Sequence, residues 1–305
     1  MQPLAGPEAG VPAIDDPAFG EILQVLRERT GTDFASYRLP TVARRTVNRM
    51  ISVGAATYAD YLQFLRQREG EAARLLEHVT IKVSRFYRHA PTFDTLRREV
   101  LPELARQADG RTMTVWSVGC GCGEEPYTLA MLFAEAGLSC TIEATDIDPA
   151  ALQRAAHGYY TDAALFELPK DLRERYIARS DGFYEVSSQL REQVRFSRHD
   201  VLASQPPPGD GRFDLVCFRN LLIYLGHEVQ DLALHAVRRT VRPGGYLCLG
   251  EAEWPSPAIA STLLPLASDT RIFATSSCDV VSVTTQPRGE EPGSTSADNW
   301  PRDPA

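Results

Sequence analysis

The sequence predicts an α/β protein, in which a doubly wound parallel sheet with an inserted small β-subdomain is preceded by a small all-α domain. Two observations lead to this fold class. Helical apolar spacing dominates residues 17–106, whereas strand-like and helical segments alternate from Thr112 onwards, as in a mostly parallel sheet with helices on both faces. In addition, an apolar run at 113–118 leads into three glycines and then a helical pattern. A strand, a glycine turn and a helix form the first unit of a doubly wound nucleotide-binding sheet.

The all-α domain is predicted from apolar residues at helical spacing. Phe19, Ile22 and Leu26 mark the first helix, since residues three or four positions apart share one face. The predicted helices span 19–29, 41–51 and 58–67, and a fourth begins near residue 71. The chain then divides into a disordered start at 1–16, a helical domain at 17–90, a sheet domain at 91–285 and a disordered tail at 286–305.

The sheet domain is predicted from apolar, strand-like segments at 112–118, 140–145, 194–197, 213–217 and 245–250. The interval 157–191 is longer than a simple crossover between two of these strands. It contains a turn at 180–182, which is followed by a strand-like stretch at 183–186. We therefore expect 157–191 to form an inserted subdomain with short antiparallel strands.

Composition narrows the class of function. The formal charge of −8 argues against general nucleic-acid binding, and no apolar run approaches the ~18 residues that span a membrane. Residues 17–106 hold 15 of the 32 basic residues and 10 of the 40 acidic ones, so this part carries +5 and the remainder −13. Such asymmetry indicates an N-terminal region that meets an acidic partner.

The cysteines indicate a reduced protein. They fall in predicted strands and turns, where cysteine behaves as a small buried hydrophobe. Cys120 and Cys122 have no second pair or histidine cluster nearby, so no metal site is predicted. Because the N-terminus also lacks a secretory signal pattern, we expect a cytoplasmic protein without membrane insertion.

The turn after the first strand carries the strongest ligand signal. Gly119, Gly121 and Gly123 allow the backbone to approach a ligand closely. Glu124 and Glu125 follow at the start of the helix, where they would repel a pyrophosphate. A cofactor with a cationic head, such as S-adenosylmethionine with its sulfonium and ammonium groups, fits this acidic turn.

Polar residues also stand at the ends of the next three strands. Asp146 ends the second strand, where an acidic residue hydrogen-bonds ribose hydroxyls in doubly wound folds. The alternative is that Asp146 and Asp148 both cap the following helix. Asp200, after the third strand, suits the exocyclic amine of adenine, although a simple polar loop is the alternative there. Three further polar residues gather after the fourth strand: Arg219, Asn220 and Tyr224.

In this order the motifs resemble the chemotaxis receptor glutamate methyltransferases, the CheR family. The resemblance covers residues 17–280 and includes the basic helix at 37–50. Four segments carry it: Ser-Arg-Phe-Tyr-Arg at 84–88, Gly-Glu-Glu-Pro-Tyr at 123–127, Ala-Thr-Asp-Ile-Asp at 144–148 and Phe-Arg-Asn-x-x-Ile-Tyr at 218–224.

The resemblance implies a class I methyltransferase sheet that binds S-adenosylmethionine and releases S-adenosylhomocysteine. The implied acceptors are glutamate side chains on the cytoplasmic helices of methyl-accepting chemoreceptors. Catalytic roles fall on Arg88 and Tyr224, with Tyr224 near the sulfonium methyl. Arg44, Arg45 and Arg49 would meet the receptor. The implied cofactor-binding residues are Ser84, Arg88, Gly119, Glu124, Asp146, Asp200, Val201, Arg219 and Asn220.

The chain also departs from the family pattern. Lys82 stands where many members have Asn, and 250–254 replaces a Gly-x-Ser-Glu-like ending. The turn at 181–182 is shorter than the glycine-rich loop with which some members dock a receptor's C-terminal peptide, so that tether is not expected.

Two alternative functions stay open. One is a methyltransferase of the same fold that acts on a small molecule or RNA, and the other is a non-catalytic module that senses S-adenosylmethionine. The negative charge disfavours RNA, and the helical domain favours a protein target. Lys82 keeps the non-catalytic alternative open, because a cation there would change one cofactor contact.

Overall fold

Four helices form most of the helical domain. The structure, a computed structural model, describes residues 14–80, 82–203, 207–266 and 270–275. The helices are α1 (Pro17–Thr30), α2 (Leu39–Val53), α3 (Tyr58–Gln67) and α4 (Glu71–Val79). They agree with the helices predicted from apolar spacing, with differences of no more than two residues at any end.

Local sequence explains where these helices begin and end. The Asp16 carboxylate accepts a hydrogen bond from the Ala18 N–H at 2.8 Å and so caps α1. Gly31 ends that helix in the left-handed region, with φ of 71°. The apolar faces of the helices then pack into one core, which includes Phe19, Leu26, Tyr61, Leu65 and Leu75.

A buried ion pair joins α2 to α4. The fully buried Glu71 carboxylate accepts hydrogen bonds from Arg49 Nε at 2.8 Å and Nη2 at 2.7 Å. The Tyr61 hydroxyl donates to the same carboxylate at 2.8 Å. Arg49, which was predicted to meet a receptor, thus has its guanidinium turned into the domain, where Glu71 neutralises its charge.

The strands form two sheets. The described strands are β1 (Met113–Val118), β2 (Cys140–Asp146), β3 (Tyr159–Tyr160), β4 (Ile177–Ser180), β5 (Phe183–Val186), β6 (Val194–Arg198), β7 (Phe213–Phe218), β8 (Val241–Leu249), β9 (Leu264–Pro265) and β10 (Ile272–Ala274). The larger sheet has the order β6-β2-β1-β7-β8-β10-β9. Its first five strands are parallel, and β10 is antiparallel to both of its neighbours.

Helices cover both faces of the larger sheet. Val115 and Leu215 pack with α7 on one face, whereas Trp116 and Val216 pack with α11 on the other. This arrangement confirms the predicted doubly wound α/β fold. The helices of this domain are α5 (Ala90–Thr95), α6 (Leu101–Ala108), α7 (Glu124–Glu135), α8 (Pro149–His157), α9 (Lys170–Tyr176), α10 (Ser188–Gln193), α11 (His227–Arg238) and α12 (Pro257–Ala260), with a π-helical stretch at Leu96–Val100.

The insertion between α8 and β6 contains the smaller sheet. Its strands pair in the order β3-β5-β4, and both pairings are antiparallel. The turn between β4 and β5 consists of Asp181 and Gly182, which have φ of 44° and 85°. The predicted β-subdomain is therefore present as a small antiparallel sheet.

The helical domain lies against the carboxyl ends of the parallel strands. Arg198, at the end of β6, donates a hydrogen bond to the carbonyl oxygen of Thr30. On the other side, the Arg38 N–H donates to the carbonyl oxygen of Tyr224 at 2.9 Å. In open α/β sheets ligands bind at these strand ends, so the helical domain covers the edge where a ligand is expected.

The described residues cover only part of the predicted domain division. The predicted disordered tail at 286–305 lies outside the described residues, as does the predicted disordered start except for 14–16. Phe86 and Tyr87, which the predicted boundary at residue 90 assigns to the helices, pack in the core of the sheet domain. No helix in the described ranges is long and apolar enough to cross a membrane.

Replacing Glu71 with alanine is expected to lower the free energy of unfolding by about 3 kcal/mol, because Arg49 would keep a largely buried charge without a partner. Urea denaturation measures the change, with Glu69→Ala, which removes an exposed carboxylate, as the control.

Burial alone raises the pKa of Glu71, but hydrogen bonds from Arg49 and Tyr61 outweigh it and lower the pKa below its ordinary value of 4.5. The stabilisation is therefore present above pH 4.5 and is lost as the pH falls through the lowered pKa. Equal effects of the two substitutions would contradict this role.

Candidate active site

A cleft runs along the carboxyl ends of β1, β2 and β7, beneath the helical domain. Gly119, Asn220 and Tyr224 line both of its chambers, so the two chambers form one continuous site. The first chamber encloses about 750 Å³ and the second about 550 Å³, including their open mouths. The first is also lined by Phe34, Tyr37, Asp146, Asp200 and Val201, and the second by Lys82, Ser84, Arg88, Glu125 and Arg219.

The glycine turn between β1 and α7 forms the floor of the cleft. Gly119, Gly121 and Gly123 have φ of 69°, 55° and 96°, which side-chain-bearing residues rarely adopt. A Cβ added at Gly123 would stand 2.8 Å from the Tyr160 hydroxyl and 2.9 Å from the Ala155 Cβ. Only glycine therefore allows the turn to pack this closely against α8 and the inserted subdomain.

Asp146 connects this floor to the end of β2. Its Oδ2 accepts a hydrogen bond from the Gly121 N–H at 2.9 Å, and its Oδ1 accepts one from the Asp148 N–H at 3.0 Å. Asp148 instead caps α8 by accepting from the Ala150 N–H at 2.8 Å. The two aspartates thus differ in position: Asp148 is buried at a helix start, and Asp146 lines the first chamber, where each oxygen has a free lone pair for a ribose hydroxyl.

The rest of the first chamber suits a planar, mostly apolar group. Asp200 and Val201 line it from the loop after β6, and Phe34 and Tyr37 close it from the helical domain. Burial, together with the charges of Asp200 and Asp146, raises the pKa of Tyr37. Tyr37 therefore stays neutral and shares the lining of the chamber with both carboxylates.

Arg88 supplies positive charge to the second chamber. Its Nη1 donates to the Val83 carbonyl oxygen at 2.9 Å, and the described residues give its guanidinium no ion pair. Ser84 lines the same chamber. The residues on either side of Arg88, Tyr87 and His89, have φ of 60° and 65°. These sparsely populated conformations hold Arg88 on a fixed bend.

Arg219, a predicted cofactor-binding residue, is almost fully buried in the wall of the second chamber. Its side chain is 3% exposed. Nη1 donates to Glu125 Oε2 at 2.9 Å, and Nη2 donates to the Arg88 carbonyl oxygen at 2.9 Å. The guanidinium also lies 4.9 Å from the centre of the Phe93 ring. Arg219 thus joins the elements around the second chamber, while part of it still forms the chamber wall.

The acidic pair after the glycine turn has two distinct environments. Glu125 lines the second chamber, but it is already bound by Arg219 and by the Ser117 hydroxyl at 2.7 Å. Glu124 lies behind the chamber lining, and its Oε2 is buried with no hydrogen-bond partner among the described residues. Burial raises the pKa of Glu124 to about 7. An unpaired buried carboxylate is costly, so a cationic group such as an ammonium fits here better than beside Glu125.

Lys82, the departure from the family pattern, is tied to the floor of the cleft. Its ammonium forms an ion pair with Asp148 and donates to the Glu77 carbonyl oxygen at 3.0 Å. The Lys82 side chain is only 13% exposed. It therefore neutralises Asp148, the cap of α8, while the described residues give Asp146 no ion pair.

Tyr224 occupies the junction of the two chambers. It lies on a short 3₁₀ helix, Leu222–Tyr224, just after β7. Burial raises the pKa of Tyr224, and the positive charges of Arg88 and Arg45 oppose this shift. The hydroxyl is therefore uncharged at neutral pH.

The arginines of α2 that were predicted to meet the receptor differ in exposure. Arg44 is exposed. Arg45 is half-buried and donates to the His78 carbonyl oxygen at 3.2 Å, while its Nε is buried without a partner. Of the three predicted arginines, only Arg44 and Arg45 therefore present positive charge at the surface of α2.

Sequence reasoning missed three residues of the site. Tyr37 belongs to the helical domain, and no pattern placed it in a cleft of the sheet domain. Glu125 was distinguishable from Glu124 only by three-dimensional packing. Glu253 accepts hydrogen bonds from the Asn220 loop, and its only signal was the departure at 250–254.

The sheet is doubly wound, and its glycine turn leads into two carboxylates that would repel a phosphate group. Together these features indicate the class of S-adenosylmethionine-dependent methyltransferases. The chain belongs to the CheR methyltransferase family. Residues 82–258 match the family's S-adenosylmethionine-binding domain, and residues 17–80 match its all-alpha domain. S-adenosylmethionine is accordingly the cofactor, and the unpaired Glu124 and the cleft-lining Asp146 fit its cationic and ribose parts.

Curated relatives cover most of the described chain. A chemotaxis protein methyltransferase of Listeria monocytogenes is 32% identical over 75% of this chain and 87% of its own length. Chemotaxis protein methyltransferase 1 of Pseudomonas aeruginosa is 31% identical over 76% and 89%. An uncharacterized 104.1 kDa protein of Rhodobacter capsulatus is 36% identical over 77% of this chain, which spans only 25% of that protein.

Among solved structures, a magnesium protoporphyrin IX methyltransferase of Synechocystis with bound S-adenosylmethionine is 17% identical. The likeness covers 62% of this chain and 79% of that one, with a TM-score of 0.37. This score is too low to add to the family match.

Replacing Glu124 with glutamine is expected to weaken cofactor binding and to remove its pH dependence. Because the pKa of Glu124 is about 7, its ionised fraction rises roughly tenfold between about pH 6 and 8. The affinity of the unaltered protein for S-adenosylmethionine should rise in proportion, as measured by calorimetric titration, whereas the variant should show a flat profile. Glu192→Gln, at an exposed position, is the control.

The same substitution is expected to stabilise the cofactor-free protein. The pKa of Glu124 lies above its ordinary value of 4.5, so the stability that its neutral form contributes is lost as the pH rises from 4.5 through about 7. Near pH 8 the glutamine variant should be more stable to urea by about 1–3 kcal/mol. A variant that loses both stability and cofactor affinity would show instead that Glu124 supports only the fold.

Proposed function

We propose that this methyltransferase transfers the methyl group of S-adenosylmethionine to glutamate side chains on the cytoplasmic helices of methyl-accepting chemoreceptors. The reaction would take place in the cytoplasm and give glutamate methyl esters. The family and the names of its chemotaxis relatives support this acceptor class. The structural observation that carries the proposal is the meeting of α2 with the cleft, where Thr41 and Val42 of α2 line the first chamber together with Tyr224.

The polar and charged groups of the cleft support one orientation of the cofactor. Asp146 would hold the ribose, and Asp200 and Val201 would contact the adenine in the first chamber. Glu124 would hold the ammonium group, while Ser84 and Arg88 would surround the methionine end in the second chamber. Gly119 and Asn220 line both chambers, so they would lie beside the sulfur, with Arg219 fixing the wall behind it.

The chemistry requires positioning and no general base. A glutamate side chain has a pKa near 4.3 in water, so at neutral pH it is already the carboxylate nucleophile. One carboxylate oxygen forms a bond to the methyl carbon as the bond from that carbon to sulfur breaks. The electron pair of the broken bond stays on sulfur, so one negative and one positive charge disappear together.

The residues of the chain would orient the acceptor carboxylate and keep water out. Tyr224 lines both chambers, and its ring or hydroxyl would face the cationic methyl. Arg88 carries a guanidinium that can hold a carboxylate by two parallel hydrogen bonds. The helical domain covers the cleft, and a dry site raises the energy of the separated charges that the reaction removes.

The helical domain would recognise the receptor by charge. A helix that bears several glutamates is acidic, and Arg44 and Arg45 present positive charge on α2. Contacts of this kind speed encounter and weaken as salt rises. Arg49 takes no part, since it is bound to Glu71.

Methyl transfer from labelled S-adenosylmethionine to receptor fragments tests the proposed function. Label that enters the fragment and is released by mild base is expected, because an ester is base-labile. Fragments in which the accepting glutamates are replaced by alanine are the matched control. Label on another acceptor would indicate a different substrate, and cofactor binding without transfer would indicate a sensing module.

Arg45→Glu is expected to raise KM for the receptor by about tenfold at low salt, with a smaller effect as the salt concentration rises. Affinity for S-adenosylmethionine should stay unchanged in a calorimetric titration. Arg66→Glu, which reverses an exposed charge that pairs with Glu21 on the other side of the helical domain, is the control. Equal losses of receptor activity and cofactor affinity would overturn this assignment.

A further inference from the structure

A buried carboxylate binds the loop that joins the two chambers. Glu253, in the loop after β8, is only 2% exposed. Its Oε2 accepts hydrogen bonds from the Asn220 N–H at 2.8 Å and the Gly250 N–H at 2.7 Å. Its Oε1 accepts a longer one from the Ile223 N–H at 3.4 Å. One side chain from the loop after β8 thus satisfies two backbone donors, at Asn220 and Ile223, of the loop that follows β7.

The loop held in this way is the part of the site common to both chambers. Asn220 and Tyr224 line each of them, and Asn220 has a φ of 58°, in the left-handed region. Such a conformation costs free energy for a residue other than glycine, so it needs fixed partners. The hydrogen bond from the Asn220 N–H to Glu253 is one such partner.

The loop also sets the height of the cleft floor. A Cβ added at Gly119 would stand 3.2 Å from the Leu221 Cδ2, which shows how closely the loop packs on the glycine turn. Leu221 lies between Asn220 and Ile223, the two residues whose N–H groups Glu253 holds. A shift of this loop would therefore change the gap between Gly119 and Tyr224.

Gly250, just after β8, is packed tightly against the Glu253 carboxylate. A Cβ added at Gly250 would stand 2.5 Å from Glu253 Oε2 and 2.8 Å from the Asn220 nitrogen. The backbone of Gly250 does not have a positive φ, so alanine would be strained there by this crowding and not by its own conformation. Burial raises the pKa of Glu253, while hydrogen bonds from backbone N–H groups oppose the shift and favour its charged form.

We propose that Glu253 is a positioning residue for methyl transfer, which fixes Asn220 and Tyr224 at the junction of the adenosine and methionine chambers. It touches neither cofactor nor acceptor and acts through the backbone of the loop. This inference rests on the methyltransferase class of the chain and is independent of which acceptor is methylated.

Calorimetric titration with S-adenosylhomocysteine tests the proposal without any acceptor. Glu253→Gln replaces one accepting oxygen by an NH2 group, which cannot accept, and Gly250→Ala disturbs the same contact from the other side. In both variants the Kd is expected to rise about tenfold with one site still bound per chain, because an ordering partner that supports a binding group typically matters by this much. Glu228→Gln, at an exposed position on α11, is the control and should leave the Kd unchanged.

A purely structural role would give a different result. Loss of folding would lower the number of binding sites per chain and leave the Kd of the remaining sites unaltered, and that outcome in both variants would overturn the proposal. An unchanged Kd at full stoichiometry would also overturn it. With an active acceptor, kcat should fall while KM for the acceptor stays constant, whereas failure of the receptor assay alone would leave the cofactor titration unaffected.

Discussion

The guanidinium of Arg219 holds together the parts of the molecule that form the cleft. It binds Glu125 at the start of α7 and the carbonyl oxygen of Arg88 on the segment that precedes the sheet. A buried guanidinium needs such partners, because its charge is costly without them. The glycine turn, the Arg88 bend and the loop after β7 are therefore held in one arrangement, and the two chambers meet because of it.

The floor and the outer side of the cleft carry opposite charges. The floor of the cleft is acidic, with Asp146 and Asp200 in the first chamber and the unpaired Glu124 behind the second. The outer side, formed by α2 and the Arg88 bend, is basic. In the proposed reaction a cationic cofactor would be attracted to the floor and an anionic acceptor to the opening, and the two charges would meet beside Tyr224. The negative net charge of the chain is compatible with an acidic partner because Arg44 and Arg45 present positive charge on α2.

The sequence predicted what depends on local pattern and failed where partners come from distant segments. Helical spacing located α1 to α4, and the strand ends located Asp146 and Asp200, because periodicity and strand order are properties of short segments. Arg49 could not be separated from Arg44 and Arg45, since its partner Glu71 lies on another helix. The ion pair of Lys82 with Asp148 and the bonds of Glu253 to the Asn220 loop likewise join residues far apart in the chain.

The most direct test of this account is a crystal structure of the complex with S-adenosylhomocysteine. The central claim is that the two chambers hold a single cofactor, with its sulfur at their junction. We expect the ribose hydroxyls at hydrogen-bond distance from Asp146, the ammonium group at Glu124 and the sulfur beside Tyr224. A ligand that lay wholly within one chamber, or whose ammonium group bound Glu125 while Glu124 stayed unpaired, would contradict the account.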